Sequence, residues 1–156
     1  MLLNLDKLIL EYPLQFSTLL QSRRASVRDI TTKFGNNAGE IWSTLNEKGC
    51  LKKKEIIKIT DLNEDEFHTG LGWLVRENKI SRDDKDCFKL ETTNMDSEIG
   101  THAGRIWKIL DIWGDADFTT IQRLSDLQNK EIHTALGWLA KEDKITLNEK
   151  QKFELK

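Results

Sequence analysis

Apolar positions along the chain follow two periods that alternate in a fixed order, and the whole order occurs twice. In "NNAGEIWSTLNEKG", Ala38, Ile41, Trp42 and Leu45 fall at i, i+3, i+4 and i+7, the stripe of an amphipathic helix. Asn36 is placed to cap that helix and Gly49 to stop it; Thr101 and Gly114 take these places in the second copy. A shorter helical run follows, "KKKEIIKIT" or "FTTIQRLS", ending at the turn Asp61-Leu62 or Asp126-Leu127. Then "NEDEFHTGLGWLVREN" sets Phe67, Leu71 and Leu74 on one face, with Asn63 and Glu66 spaced as a capping box. After it the period falls to 2: "KISR" and "CFKL" flank the tip Asp83 to Asp86, and "KITL" and "KFEL" flank Asn148 to Gln151, the pattern of a β-hairpin.

The two copies align without a gap. Residues 34–91 laid over 99–156 at a constant offset of sixty-five give 23 identities in 58 positions. Two copies are too few for a solenoid, so each is expected to be a small domain with its own core. Between them, "TTNMDSE" at 92–98 is polar and aperiodic, and reads as a linker spanning at most about 25 Å. Residues 1–33 stand outside the repeat as an N-terminal extension, partly helical or disordered. In it, Leu2, Leu5 and Ile9 could form one side of a helix that Pro13 limits, and Arg23, Arg24, Arg28 and Lys33 make a basic stretch. That stretch fits a basic arm on DNA, a dimerisation helix or a loose tail.

Helix, short helix, turn, helix, hairpin is the winged helix-turn-helix order. The expected fold class is therefore α+β, mainly helical, with two tandem winged helix-turn-helix domains of three helices and a β-hairpin wing each. The segments "AGEIW" and "AGRIW", with "LGWLVRENKI" and "LGWLAKEDKI", resemble a family of small prokaryotic winged helix-turn-helix proteins of uncharacterised function. The resemblance covers both copies, and by analogy with winged helices in general it implies DNA binding.

On that reading the exposed residues of the third helix carry the contact. Winding at 100° per residue turns Asp65, Thr69, Gly72 and Arg76 away from the Phe67 face, with His68 and Trp73 on the flanks. The second copy presents Lys130, Thr134, Gly137 and Lys141, flanked by His133 and Trp138. Base edges and phosphates require donors and cations, which the second copy supplies better than the first. The DNA-binding candidates are thus Lys130, His133, Thr134 and Lys141 in copy two, and His68, Thr69 and Arg76 in copy one. Lys52, Lys53 and Lys54, at the start of the second helix, join them as phosphate contacts or form a solvated face. Trp42 and Trp107 read as core anchors. Trp73 and Trp138 are expected to pack on helix one or the wing, or, failing that, to form a contact between copies.

Composition narrows the function further. Net charge is −2 with 32% charged residues, so no strongly basic surface dominates. Cys50 and Cys87 are too few for a disulfide framework or a four-ligand zinc site, although their places on paired strands can make them neighbours. His68 and His133 have no recurring Cys, Asp or Glu at ligand spacing, and no phosphate loop, activated nucleophile or paired-carboxylate motif occurs. No metal, cofactor or enzymatic activity is expected, and no apolar run is long enough to span a bilayer. A cytoplasmic protein follows, with double-stranded DNA as partner in a regulator-like role. The alternative is a protein–protein interaction adaptor built on winged-helix domains.

Overall fold

The computed structural model of the chain describes the backbone of residues 13–156 and side chains from Ile30 onward. The helix expected around Leu2, Leu5 and Ile9 lies outside the described residues, as do the side chains of Arg23, Arg24 and Arg28. The first half contains α1 (Pro13–Lys48), β1 (Leu51–Lys52), α2 (Lys53–Thr60), α3 (Glu64–Arg76), β2 (Ser81–Arg82) and β3 (Cys87–Lys89). The second contains α4 (Asp96–Trp113), β4 (Asp115–Ala116), α5 (Phe118–Ser125), α6 (Asn129–Lys141), β5 (Ile145–Leu147) and β6 (Phe153–Leu155). Each hairpin gains a third strand from the residues after its first helix, giving antiparallel sheets ordered β1-β3-β2 and β4-β6-β5.

Local chemistry accounts for most boundaries. Gly49 and Gly114 stop the first helices at φ of 80° and 82°, values that a Cβ disfavours. The capping box on α3 is present: Asn63 Oδ1 accepts from the Glu66 N–H at 2.8 Å, and the Glu66 carboxylate accepts from the Asn63 N–H at 3.1 Å. At the wing tips, Asp83 Oδ1 accepts from the amides of Lys85 and Cys87, and Asn148 Oδ1 accepts from those of Lys150 and Lys152. Those amides hold the Asp83 carboxyl below its ordinary pKa, with the Cys87 bond the largest cause. Cys50 and Cys87 are joined across β1 and β3, their Cα atoms 5.7 Å apart, while copy two carries Asp115 and Lys152 there.

Both first helices start earlier than capping chemistry suggests. Neither Asn36 nor Thr101 is a cap: α1 runs unbroken from Pro13, whose lost N–H costs nothing in a first turn, and α4 begins at Asp96. The segment expected to be a free linker is thus largely structured. Asn94 bonds in both directions with the backbone of Arg82, Thr93 N–H donates to Asn78 Oδ1, and Met95 is buried.

Those upstream turns exchange partners between the copies. One core holds Ile41, Ile56, Phe67, Leu74 and Ile80, and it is completed by Met95 and Ile99 from the start of the other copy. The second holds Ile106, Ile121, Ile132, Leu136 and Ile145, completed by Ile30 and Phe34. Ile30 and Phe34 correspond to Met95 and Ile99 at the offset of sixty-five, so the exchange is reciprocal. Two cores exist, as the repeat implies, but neither is built from its own copy alone. Trp42 and Trp107 are not core anchors: each is 39% exposed, because the buried stripe follows Ala38, Ile41 and Leu45 and its counterpart.

Candidate nucleic-acid interface

The third helices, α3 and α6, share the largest contact between any two elements. Their closest approach uses glycine: a Cβ on Gly72 would lie 1.8 Å from the Thr134 carbonyl oxygen, and one on Gly137 would lie 2.0 Å from that of Thr69. The face expected to meet solvent is therefore the seam between the copies. Thr69, Thr134, Gly72 and Gly137 are all buried in it, and each Thr hydroxyl bonds back to its own helix, to Glu66 O at 3.0 Å and to Lys130 O at 2.7 Å. Asn37 on α1 adds a buried bond from Nδ2 to Thr69 Oγ1 at 3.0 Å.

The seam has local two-fold symmetry down to its rim. Arg76 lies over the Trp138 ring at 5.2 Å and its Nε reaches Glu142 at 2.8 Å; Lys141 lies over Trp73 at 5.3 Å and reaches Glu77 at 3.3 Å. Both Trp rings border the two cores, and each also packs over a glycine of its own first helix, Gly35 or Gly100, so packing and interface are one role. Exposed ion pairs contribute little individually, whereas cations over rings that are partly dehydrated contribute about 0.5–2 kcal/mol.

Other candidates divide between this seam and its surroundings. Asp65 accepts from Asn129 Nδ2 at 2.8 Å and stands 3.6 Å from the His133 ring. His68 is buried, and its Nδ1 donates to Glu64 O at 2.6 Å. Burial is the main cause that lowers its pKa below the usual histidine value, with the neighbouring Lys53 acting in the same direction. Lys53 is turned to Glu64 at 2.8 Å. Lys52, Lys54 and Lys130 make no ion pair with any described residue. These three and His68 line a cleft of about 780 Å³, whose floor includes Phe67, Leu71, Phe88 and Ile99.

The cleft draws its lining from both copies, and the place equivalent to its Lys53 is filled differently in copy two. In copy two, Phe118 stands in place of Lys53, packs against the core and meets the His133 ring with centroids 4.7 Å apart. Sequence pattern missed Asn37 and Asn129, which do not recur in the other copy, and Glu77 and Glu142, which recur but whose cationic partners lie across the seam. The signal for the seam was present: Thr and Gly recur at the same two positions of both third helices, a small-residue face suited to close helix contact.

No curated protein and no solved structure matches the chain. No helix among the described residues is long and apolar enough to cross a membrane. One family does match, twice in tandem, over residues 29–89 and 94–155, and its bounds include the upstream turns that complete the neighbouring core. Domains of this type are typically DNA-binding and generally non-catalytic. The chain belongs to the family described as winged helix-turn-helix domain (DUF2582), present here as two linked copies.

Proposed function

We propose that the protein is a non-catalytic interaction module of regulator type, in which two winged helices form one pseudo-symmetric body that docks a protein partner. The observation that carries this reading is the mutual burial of Thr69, Gly72, Thr134 and Gly137, which spends the helix-three faces on joining the copies. A helix sealed against its twin cannot also enter a major groove about 12 Å wide. Apolar surface lies instead on the first helices, where Trp42, Trp107, Ile112 and Trp113 are exposed, residue types that dominate protein interfaces. The Cys50–Cys87 link is absent from the second copy, which holds Asp115 and Lys152 there, so the fold does not depend on it.

A second reading, DNA binding, is favoured by Lys52 and Lys54, which stand exposed at the N-terminus of α2 and make no ion pair with any described residue. Such an end suits phosphate without base readout. Fluorescence anisotropy with a labelled duplex, from about 50 to 200 mM salt, separates the two readings. The interaction module gives no saturable binding at any salt. Binding with a salt slope of about 0.9 per phosphate contact, lost when Lys52, Lys53 and Lys54 become Glu, would replace it with the DNA reading.

A further inference from the structure

The two copies differ most sharply where α4 starts against α6. Glu98 and His102 are four residues apart on one face of α4, and Glu131 reaches them from the first turn of α6; the three donor atoms lie within 4.8 Å of one another. The equivalent place in the other half holds Lys33, Asn37 and Glu66. There Lys33 neutralises Glu66 at 3.7 Å, and Asn37 is satisfied by Thr69. Exchanging Lys33 for Glu98 leaves Glu131 facing a second carboxylate, with an imidazole beside it in place of the amide. Neither the Glu98 carboxylate nor the His102 ring has a partner among the described residues, and Lys130, one residue before Glu131, makes no ion pair with either acid. Two carboxylates held this close repel unless a proton or a cation sits between them.

We propose that Glu98, His102 and Glu131 bind a divalent transition-metal ion of the zinc class, fixing the start of α4 to α6 at the wall of the cleft. Two carboxylate oxygens and one imidazole nitrogen are a donor set that suits such an ion and leaves positions open. Metal–ligand bonds of about 2.1 Å place tetrahedral ligands about 3.4 Å apart, so the donors must close by up to about 1.4 Å, a movement the exposed Glu98 side chain can make. Glu131 is already oriented by accepting the Gln128 amide at 2.8 Å on one oxygen. Asp83 with Cys50 and Cys87 forms another donor group, but its sulfurs are joined to each other.

The test is titration of the full chain, disulfide intact, with Zn2+ by calorimetry and with Co2+ by visible absorption. One ion per chain is expected, with a rise in melting temperature on zinc addition. His102→Ala and Glu98→Gln should each weaken binding at least about tenfold. Glu98→Lys restores the charge pattern of Lys33 with Glu66, so it should abolish binding while leaving the metal-free melting temperature at or above that of the parent. The proposal is overturned if the parent takes up no ion, or if the variants bind as the parent does.

Discussion

Alanine at Gly72 should destabilise the protein although alanine is the better helix former, and the sign of that change tests the seam directly. In an exposed helix interior, glycine to alanine gains about 1 kcal/mol through propensity and the entropy of the unfolded chain. At Gly72 the new methyl would sit 1.8 Å from a backbone carbonyl oxygen, against an ordinary contact of 3.4 Å or more. No side chain can rotate away, so α3 and α6 must part by more than 1 Å. That separation lifts Arg76 and Lys141 from the Trp rings and opens the boundary between the two cores. Overpacking of this kind costs about 1–3 kcal/mol, and the rigid backbone obstacle places Gly72→Ala at the upper end. Less the propensity gain, the net loss is about 2 kcal/mol. For a chain of 156 residues it lowers Tm by about 4–8 °C. Gly39 supplies the control, since nothing lies within 4 Å of a Cβ built there and Gly39→Ala should raise Tm by about 2–4 °C. Thermal and urea unfolding of both variants measure the effect. If Gly72→Ala stabilises as Gly39→Ala does, the helices do not meet as described and the argument for a closed seam fails.

Trp73→Ala should cost about 3 kcal/mol in urea unfolding, because its ring borders both cores and covers Gly35. Trp42→Ala should cost less than half of that, its ring being 39% exposed, and equal losses at the two positions would place Trp42 in a core after all. The His68 pKa is lowered in the folded state, chiefly by burial, so the unfolded chain binds more protons through that range. Stability should therefore fall as pH drops through the unfolded value near 6.5, and His68→Gln should flatten that part of the profile; an unchanged profile would show that His68 titrates alike in both states.

Much of the fold was legible because it rests on local rules. The Gly49 and Gly114 stops, the Asn63 and Glu66 capping box and the four-residue wing tips each depend on residues a few positions apart, and all occur where the pattern places them. Tertiary contacts decided the rest. Asn36 has capping chemistry, yet the helix passes through it because Ile30 and Phe34, a turn or two upstream, find an apolar partner in the other copy. Trp42 lies inside an apolar stripe read at helical spacing, but a helix of this radius buries a narrower arc than the stripe, and the ring falls at its edge. Helix three was oriented correctly with respect to its own core. Its opposite face was assigned to solvent because a single copy offers no other neighbour, and a repeat read as two separate units hides the contact that repetition itself makes available.

Repetition explains why that contact is reciprocal. In a two-fold interface, if residue i of one copy meets j of the other, the counterpart of j meets the counterpart of i. Thr69 with Gly137 and Thr134 with Gly72 satisfy this at the offset of sixty-five, as do Arg76 over Trp138 and Lys141 over Trp73. Positions at the centre of the seam are thereby constrained in both copies at once, and there the copies agree: Thr, Gly, Trp and Glu are identical, with Arg76 and Lys141 both cationic, while the Asp65–Asn129 bond at its edge has no symmetric twin. Where the copies disagree, symmetry makes no demand. Lys53 against Phe118, Glu98 against Lys33, His102 against Asn37 and Lys130 against Asp65 all fall where the first member of each pair lines the cleft, while at the equivalent place Lys33 pairs with Glu66 and Asp65 with Asn129. A linked pair can specialise one of two equivalent places without disturbing the other, which two identical subunits cannot do, and in this chain the specialised place is the cleft beside α4.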